Sequence, residues 1–355
     1  MTEQELRAYI EAIHPADETA MDAARRRQAQ LAKPPGSLGQ LEELSIRLAG
    51  VTGQVCPAMD KCRVAVFAAD NGVVAEGVSC TPPSVTLQQA VNMTFRKTGM
   101  SAMAAAFGDD VAVVDVGIDG DVPPVGILDR KVRRGTGNIV REDAMTRQQA
   151  LDALAAGMEQ AALARRDGVT ALGIGEMGIG NTTTSSAVAS VLLGRPVQEM
   201  TGRGAGLSDE GLRRKIDAIR RGIVVNRPDA ADPLGVLAAL GGFDIAGLCG
   251  VFLGGALENV PILMDGFISG VAALCAVRLC PAAAKAVFAS HVSSEPAARL
   301  VLEELDKKPL ITANLHLGEG TGAVASLPLW DMALAVYNGC YSFAEGGITP
   351  YTPQC

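Results

Sequence analysis

Four short, strongly apolar runs in this chain each close on a glycine or an acidic residue: RVAVFAADNG (63–72), DVAVVDVGIDG (110–120), VTALGIGEMGIGN (169–181) and VPILMDGF (260–267). Alanine-rich stretches of helical length lie between them, among them TRQQALDALAAGMEQAALARR (146–166) and TTTSSAVASVLLG (182–194). Alanine is the strongest helix former, and it contributes nothing to a pleated surface. A run that is apolar on nearly every residue, rather than on alternate ones, is a strand buried on both faces. The alternation therefore predicts an α/β fold: a doubly wound, mainly parallel sheet with helices on both faces. In such sheets ligands bind beyond the carboxyl ends of the strands, so the loops that follow the four runs are where chemistry is expected.

The two chain ends have a different texture. Leu6, Ile10 and Ile13 recur at helical spacing, and Leu41, Leu44, Ile46 and Leu48 mark a further helix after the punctuation KPPGSLG. The tail from Leu327, LPLWDMALAVYNGCYSF, is another amphipathic helix. The expected organisation is a small helical domain formed by 1–61 and 327–355 and a large α/β catalytic domain over 62–326. With 355 residues, two domains fit a prior of roughly 150 residues each.

Composition excludes several classes of partner. Lys and Arg number 31 against 39 Asp and Glu, and the net charge of −8 repels polyanions. Aromatic residues are only 4%, too few for base-stacking platforms, so no nucleic-acid partner is expected. Glu258, Asp265 and several glycines cut the most apolar region, 245–277, into pieces shorter than the ~20 residues of a spanning helix. No membrane span is expected. The opening MTEQELRAYIEAIHPADE lacks the basic and apolar regions of a secretory signal, which predicts a cytoplasmic address. The eight cysteines form no C-x-x-C pair and there are three histidines, so no metal site is expected.

Candidate chemistry concentrates in three loops. In GIGEMGIGNTTTSSAV (173–188), a strand run opens into a helix whose Asn, Thr and Ser residues can cap it, while backbone N–H groups and the helix dipole attract an anion. Gly173, Gly175 and Gly178 satisfy G-x-G-x-x-G, a dinucleotide reading weakened by the mid-chain position and by the lack of a strand before Glu199. Gly175 and Gly180 match the glycines of a P-loop, but Asn181 stands where its lysine belongs. A plain packing turn is the bland alternative. Glu176 beside such a turn suggests a cationic or proton-donating substrate group. A second loop, Gly318-Glu319-Gly320-Thr321-Gly322, again sets one glutamate among glycines, and two such acids point to a shared site. The third, TGRGAG (201–206), leads into the N-cap candidate Ser208; Arg203 and Lys215 are either phosphate partners or surface charges. Asp70 and Asp265 each end a strand run, where a ligand-binding acid and a turn residue are both at home.

At these residues the sequence resembles the nicotinate-nucleotide:dimethylbenzimidazole phosphoribosyltransferases of the cobalamin lower-ligand pathway. The resemblance spans nearly the whole chain through PPGSLGQLE (34–42), FAADNGVVAEGVS (67–79), VTLQ (85–88), GEMGIGNTT (175–183), TGRGAGLSDEG (201–211), MDGF (264–267), SHVSSEP (290–296), LGEGTGA (317–323) and FAEGGI (343–348). It implies transfer of phosphoribose from nicotinate mononucleotide to 5,6-dimethylbenzimidazole, giving nicotinate and α-ribazole 5′-phosphate with inversion at the anomeric carbon. It implies no metal and no cofactor, and it implies a homodimer. In catalysis it implies Glu319 as the base for the benzimidazole N–H, with Glu176 close by and Asp265 assisting. Ser79, Gln88, Met177 and Leu317 fall in the implied base pocket. Gly178, Gly180, Asn181, Thr182, Gly204 and Lys215 fall in the implied phosphate and ribose subsite.

Two departures stand out. Asn71 occupies a position where relatives often carry histidine, and Thr81-Pro82-Pro83-Ser84 differs from the usual segment, which leaves acceptor preference open. A dinucleotide-dependent oxidoreductase and a nucleotide-binding regulatory protein without turnover are the competing readings. His291 and His316 read as structural.

Overall fold

The computed structural model describes residues 1–351. Its centre is one sheet of six strands: β1 (Cys62–Ala69), β2 (Asp110–Gly117), β3 (Leu128–Asp129), β4 (Ala171–Met177), β5 (Ile262–Met264) and β6 (Val287–Ala289). Their spatial order is β3-β2-β1-β4-β5-β6, and every pairing is parallel. The four sequence runs supply β1, β2, β4 and β5. The sheet is the doubly wound, parallel one expected, with the order reversing between β1 and β4, where a crevice opens beyond the carboxyl ends.

Burial on both faces follows the two-residue period of a strand. Ala65, Phe67 and Ala69 of β1 join one apolar cluster, and Val64, Val66 and Ala68 join another on the opposite side. The first face is covered by the helices Arg147–Arg166 and Phe243–Glu258. These two pack so closely that a Cβ added to Gly157 would overlap the Gly247 carbonyl, and one added to Gly250 would overlap that of Leu154. The second face is covered by the helices Ser84–Thr94, Gly99–Phe107 and Thr321–Gly339.

The chain ends pack in two different places. The helices Glu18–Gln30 and Gln40–Thr52 share a core with Thr321–Gly339, in which Trp330 meets Phe288 of β6 edge to face at 4.9 Å. The first helix, Glu3–Ala12, instead places Leu6 in the main core, and the amino group of Met1 reaches Asp152 at 3.1 Å. The tail helix starts at Thr321, six residues before the expected Leu327, and holds Pro328 inside it. No helix among the described residues is long and apolar enough to cross a membrane.

Candidate active site

A cavity of about 260 Å³ opens beyond the carboxyl ends of β4, β5 and β6. Its lining brings the three glycine-rich loops together, in chain order Glu176, Met177, Gly178, Gly180, Asn181 and Thr182 from the first, Arg203 and Gly204 from the second, and Leu317, Gly318 and Glu319 from the third. Asp265, His291, Glu295 and Ser79 stand in the same wall.

Close backbone contact seats the two glutamates side by side. Gly173 and Gly175 lie within β4 rather than in the turn after it, which removes the geometry of a dinucleotide fingerprint. What Gly175 allows is the approach of the third loop, because an added Cβ there would overlap the Glu319 carbonyl. Glu319 itself holds a left-handed backbone (φ +64°), an uncommon conformation for a side chain of its length, kept by the loop around it. Asp265 is the clamp: its Oδ2 accepts from the Gly320 N–H at 3.1 Å and its Oδ1 from the Gly322 N–H at 2.7 Å. Glu319 Oε2 accepts from the Met100 N–H at 3.3 Å.

Glu176 is the last residue but one of β4, its carboxyl group buried against Gly318, where an added Cβ would lie 2.6 Å from Oε1. The Asn181 amide nitrogen donates to Glu176 Oε2 and also to Asp244 Oδ2, the latter at 2.8 Å. The polar side chains expected to cap the helix Asn181–Leu192 therefore do not do so. Gly180 is its cap, at φ +93° and without a side-chain bond, and Asn181 serves the carboxylates instead. Burial foremost, and then the charge of Asp244, pushes the Glu176 carboxyl up to about 8 against the pull of Asn181. Burial also pushes Asp244 up to about 6.

A buried cation stands behind the other end of the cavity. Lys215, fully buried on the helix Asp209–Asn226, donates from Nζ to Thr182 Oγ1 at 2.8 Å and to the Gly202 carbonyl at 3.1 Å. Burial lowers its ammonium to about 8, opposed by the nearby Glu295. Glu295 Oε1 accepts from the Gly204 N–H at 2.9 Å, which ties the second loop to the segment after β6. Ser208 caps the Lys215 helix as expected, accepting from the Gly211 N–H at 3.2 Å. Arg203 is engaged within its own loop, donating to the Leu207 carbonyl at 2.8 Å and pairing with Asp209.

Of the residues in the implied base pocket, Ser79, Met177 and Leu317 line the cavity. Leu317 is 60% exposed, an apolar flap over its mouth. Gln88 is exposed on its helix and outside the lining, whereas Gln89 lines it. Asn71 is buried behind the wall with its amide reaching the Ile179 carbonyl at 3.4 Å. Asp70 cross-links two strand ends by accepting from the Asp119 N–H at 2.8 Å. His291 is buried with Nδ1 at 3.0 Å from Ser290 Oγ, and His316 Nδ1 lies 2.8 Å from the Asn314 carbonyl.

Sequence reasoning did not single out Asp244 or Glu295. For Asp244 the available signal was an acid beside two glycines at the head of an otherwise apolar helix. For Glu295 the available signal was its place in the SHVSSEP segment (290–296); its role was not readable, because its partner Gly204 lies ninety-one positions away. Among the described residues no group of three or more His, Cys, Asp or Glu side chains is placed to hold a metal ion.

A family model described as phosphoribosyltransferase matches residues 13–348. The nicotinate-nucleotide:dimethylbenzimidazole phosphoribosyltransferase of Acetivibrio thermocellus is 48% identical over 334 residues, covering 94% of this chain and 95% of that relative. The chain belongs to this phosphoribosyltransferase family. The enzyme of the same name from Desulforudis audaxviator is 46% identical over 345 residues, 97% of this chain and 98% of its own. The crystal structure of CobT from Thermus thermophilus superposes with a TM-score of 0.89 at 42% identity, over 94% of this chain and 100% of that one. Family membership makes the chain an enzyme and carries the whole parallel sheet with it.

Proposed function

We propose that this phosphoribosyltransferase moves the phosphoribosyl group of nicotinate mononucleotide onto 5,6-dimethylbenzimidazole or a related lower-ligand base, giving nicotinate and α-ribazole 5′-phosphate in cobalamin nucleotide-loop assembly. The observation that carries this reading is one cavity lined by buried carboxyl groups at one end and, at the other, by Thr182 and Gly204 with the buried Lys215 ammonium directly behind them. A flat base between Ser79, Met177 and Leu317 brings its unprotonated nitrogen to the anomeric carbon. The bond from that carbon to the pyridinium nitrogen breaks, and its electron pair returns to nicotinate, which leaves without needing a proton. The other N–H of the base becomes acidic as the new bond forms, and Glu319 takes that proton. Glu176 faces the same space, and the two N–H groups held by Asp265 make it a positioning residue for the Glu319 loop.

Thr182, Gly204 and Lys215, with the uncapped turn at Gly178, Gly180 and Asn181, hold the phosphate and ribose. On the same reading the enzyme is a cytoplasmic homodimer; of the small helical domain expected over 1–61 and 327–355, the helices Glu18–Gln30 and Gln40–Thr52 pack with Thr321–Gly339, while Glu3–Ala12 belongs to the large catalytic unit. The test is chromatographic detection of nicotinate released from nicotinate mononucleotide, with and without acceptor, in metal-free buffer. Release that requires the acceptor and yields a ribazole phosphate is the expected result. No release with any benzimidazole, purine or phenol overturns the reading.

A further inference from the structure

We infer that Asp244 is a positioning residue for this reaction: bridged by Asn181, Asp244 and Glu176 share one proton, which leaves Glu319 to receive the proton of the acceptor. The inference rests on the transfer proposed above, and it starts from the hydrogen bonds of one amide. Asn181 Nδ2 has two hydrogens, and its two acceptors are Glu176 Oε2 and Asp244 Oδ2. Both carboxyl groups are buried, and Asp244 Oδ1 has no partner among the described residues. Gly242 and Gly178 close on Asp244 from both sides: a Cβ on the first would overlap Oδ1, and one on the second would lie 2.8 Å from Oδ2.

Two buried charges of one sign on one amide, with no cationic side chain against them, are held together only if a proton neutralises one of them. The groups that face the pair add to this demand. Asp265 and Glu319 stand beside Glu176, and Asp70 stands toward Asp244, all of them acids. His291, the base beside Asp265 at 3.8 Å, is itself pushed toward neutrality by burial. Lys215 belongs to the far end of the cavity. Asp244 stands in the first turn of the helix Phe243–Glu258, where backbone N–H groups favour its charge, whereas the Glu176 carboxyl has Asn181 as its hydrogen-bond partner; the shared proton therefore sits on Glu176. A neutral Glu176 does not compete for the acceptor proton, which goes to Glu319. Asp244 does not touch the substrate; its charge holds the proton on Glu176.

The test compares the pH dependence of kcat at saturating substrates for the wild type, Asp244→Asn and Asp244→Glu. Bound phosphate keeps Lys215 charged, so that kcat reports on the carboxyl groups. The wild type is expected to lose kcat as pH rises through the region in which Glu176 ionises. Asp244→Asn removes the like charge, and the loss is expected to begin about 1–2 pH units lower, with the KM for nicotinate mononucleotide unchanged. Asp244→Glu, which restores the acid, is expected to return the limb toward its wild-type position. A merely structural Asp244 would lower stability and leave the limb where it was.

Carboxyl carbon NMR on glutamate-labelled wild-type enzyme, with the Glu176 signal assigned through Glu176→Gln, reads the proton directly and survives a failure of Asp244→Asn to fold. A protonated Glu176 at neutral pH is expected. A charged Glu176 at neutral pH, or a limb unmoved in a folded Asp244→Asn enzyme, overturns the inference. An active wild type with either of those results leaves the transfer reaction standing. A wild type inactive with every acceptor removes the reaction, while the NMR result still decides the state of the pair.

Discussion

The two ends of the cavity solve opposite electrostatic problems in the same way. At the acceptor end, four acids (Glu176, Asp244, Asp265 and Glu319) crowd together, and their partners are backbone N–H groups and the Asn181 amide. At the phosphate end a lone ammonium, Lys215, is buried against a hydroxyl and a carbonyl. Loss of water pushes each end toward neutrality, Glu176 upward and Lys215 downward, so that both titrate near pH 8. The difference between them is what a substrate supplies. Phosphate brings the charge that Lys215 lacks a partner for, whereas the neutral acceptor base brings a proton to be removed.

The contrast breaks most sharply at Glu319. Glu319→Gln keeps the shape and removes the base, and a fall in kcat of about 10²–10⁴-fold is expected with little change in KM for nicotinate mononucleotide. A kcat within a few-fold of wild type in steady-state assays would take Glu319 out of proton transfer.

Lys215→Met, of similar length and without charge, addresses the other end. Losing charge-assisted bonds of about 1.5–3 kcal/mol raises KM for nicotinate mononucleotide roughly ten- to a hundredfold, with a much smaller effect on kcat. The wild-type affinity for nicotinate mononucleotide weakens as pH rises through about 8, because an ammonium is charged only below its pKa. Titration calorimetry across that range checks the sign, and Lys215→Met should flatten the dependence.

Gly175→Ala tests the seam that holds the two glutamate loops together. The added methyl group overlaps backbone, not a movable side chain, so a loss of about 1–3 kcal/mol, seen as a lower Tm, is expected together with a reduced kcat. The smallest effect separates two neighbours. Gln89→Ala should raise KM for the acceptor, while Gln88→Ala, at an exposed position outside the lining, should stay within about 0.5 kcal/mol of wild type in binding and stability. A larger effect at Gln88 than at Gln89 would mean that the helix Ser84–Thr94 turns its other side to the acceptor.

Much of the fold was legible because strands covered on both faces and alanine-rich helices leave strong local signatures. β1, β2, β4 and β5 each stand inside an apolar run named from the sequence, and the helices Arg147–Arg166 and Asn181–Leu192 fall within two residues of their alanine-rich stretches. β3 and β6, two and three residues long, have no period to display and escape the sequence pattern; β5 is as short as β6 but is marked by the apolar run VPILMDGF that ends on its acid and glycine. The tail helix begins at Thr321 because Gly320, at φ +98°, caps it directly after the Glu319 turn, and Pro328 in its interior does not stop it.

In the candidate site, residue types near glycine-rich turns were readable, since only a few side chains suit the loop after a buried strand. Their partners were not. That Asn181 serves two carboxyl groups instead of capping its helix depends on Asp244, sixty-three residues away.

By itself, then, the sequence determined the alternation of strands and helices, the parallel sheet, and three loops able to carry charge beyond its carboxyl ends. Those properties are local, set by periodicity and by the backbone freedom of glycine. Only the tertiary structure decided which oxygen each amide serves, that Gly175 lets Glu319 lie against β4, that Glu295 ties the Gly204 loop, and how far burial shifts Glu176 and Lys215. Desolvation and hydrogen-bond pairing are properties of neighbours brought together through space, and a linear order of residues does not contain their distances.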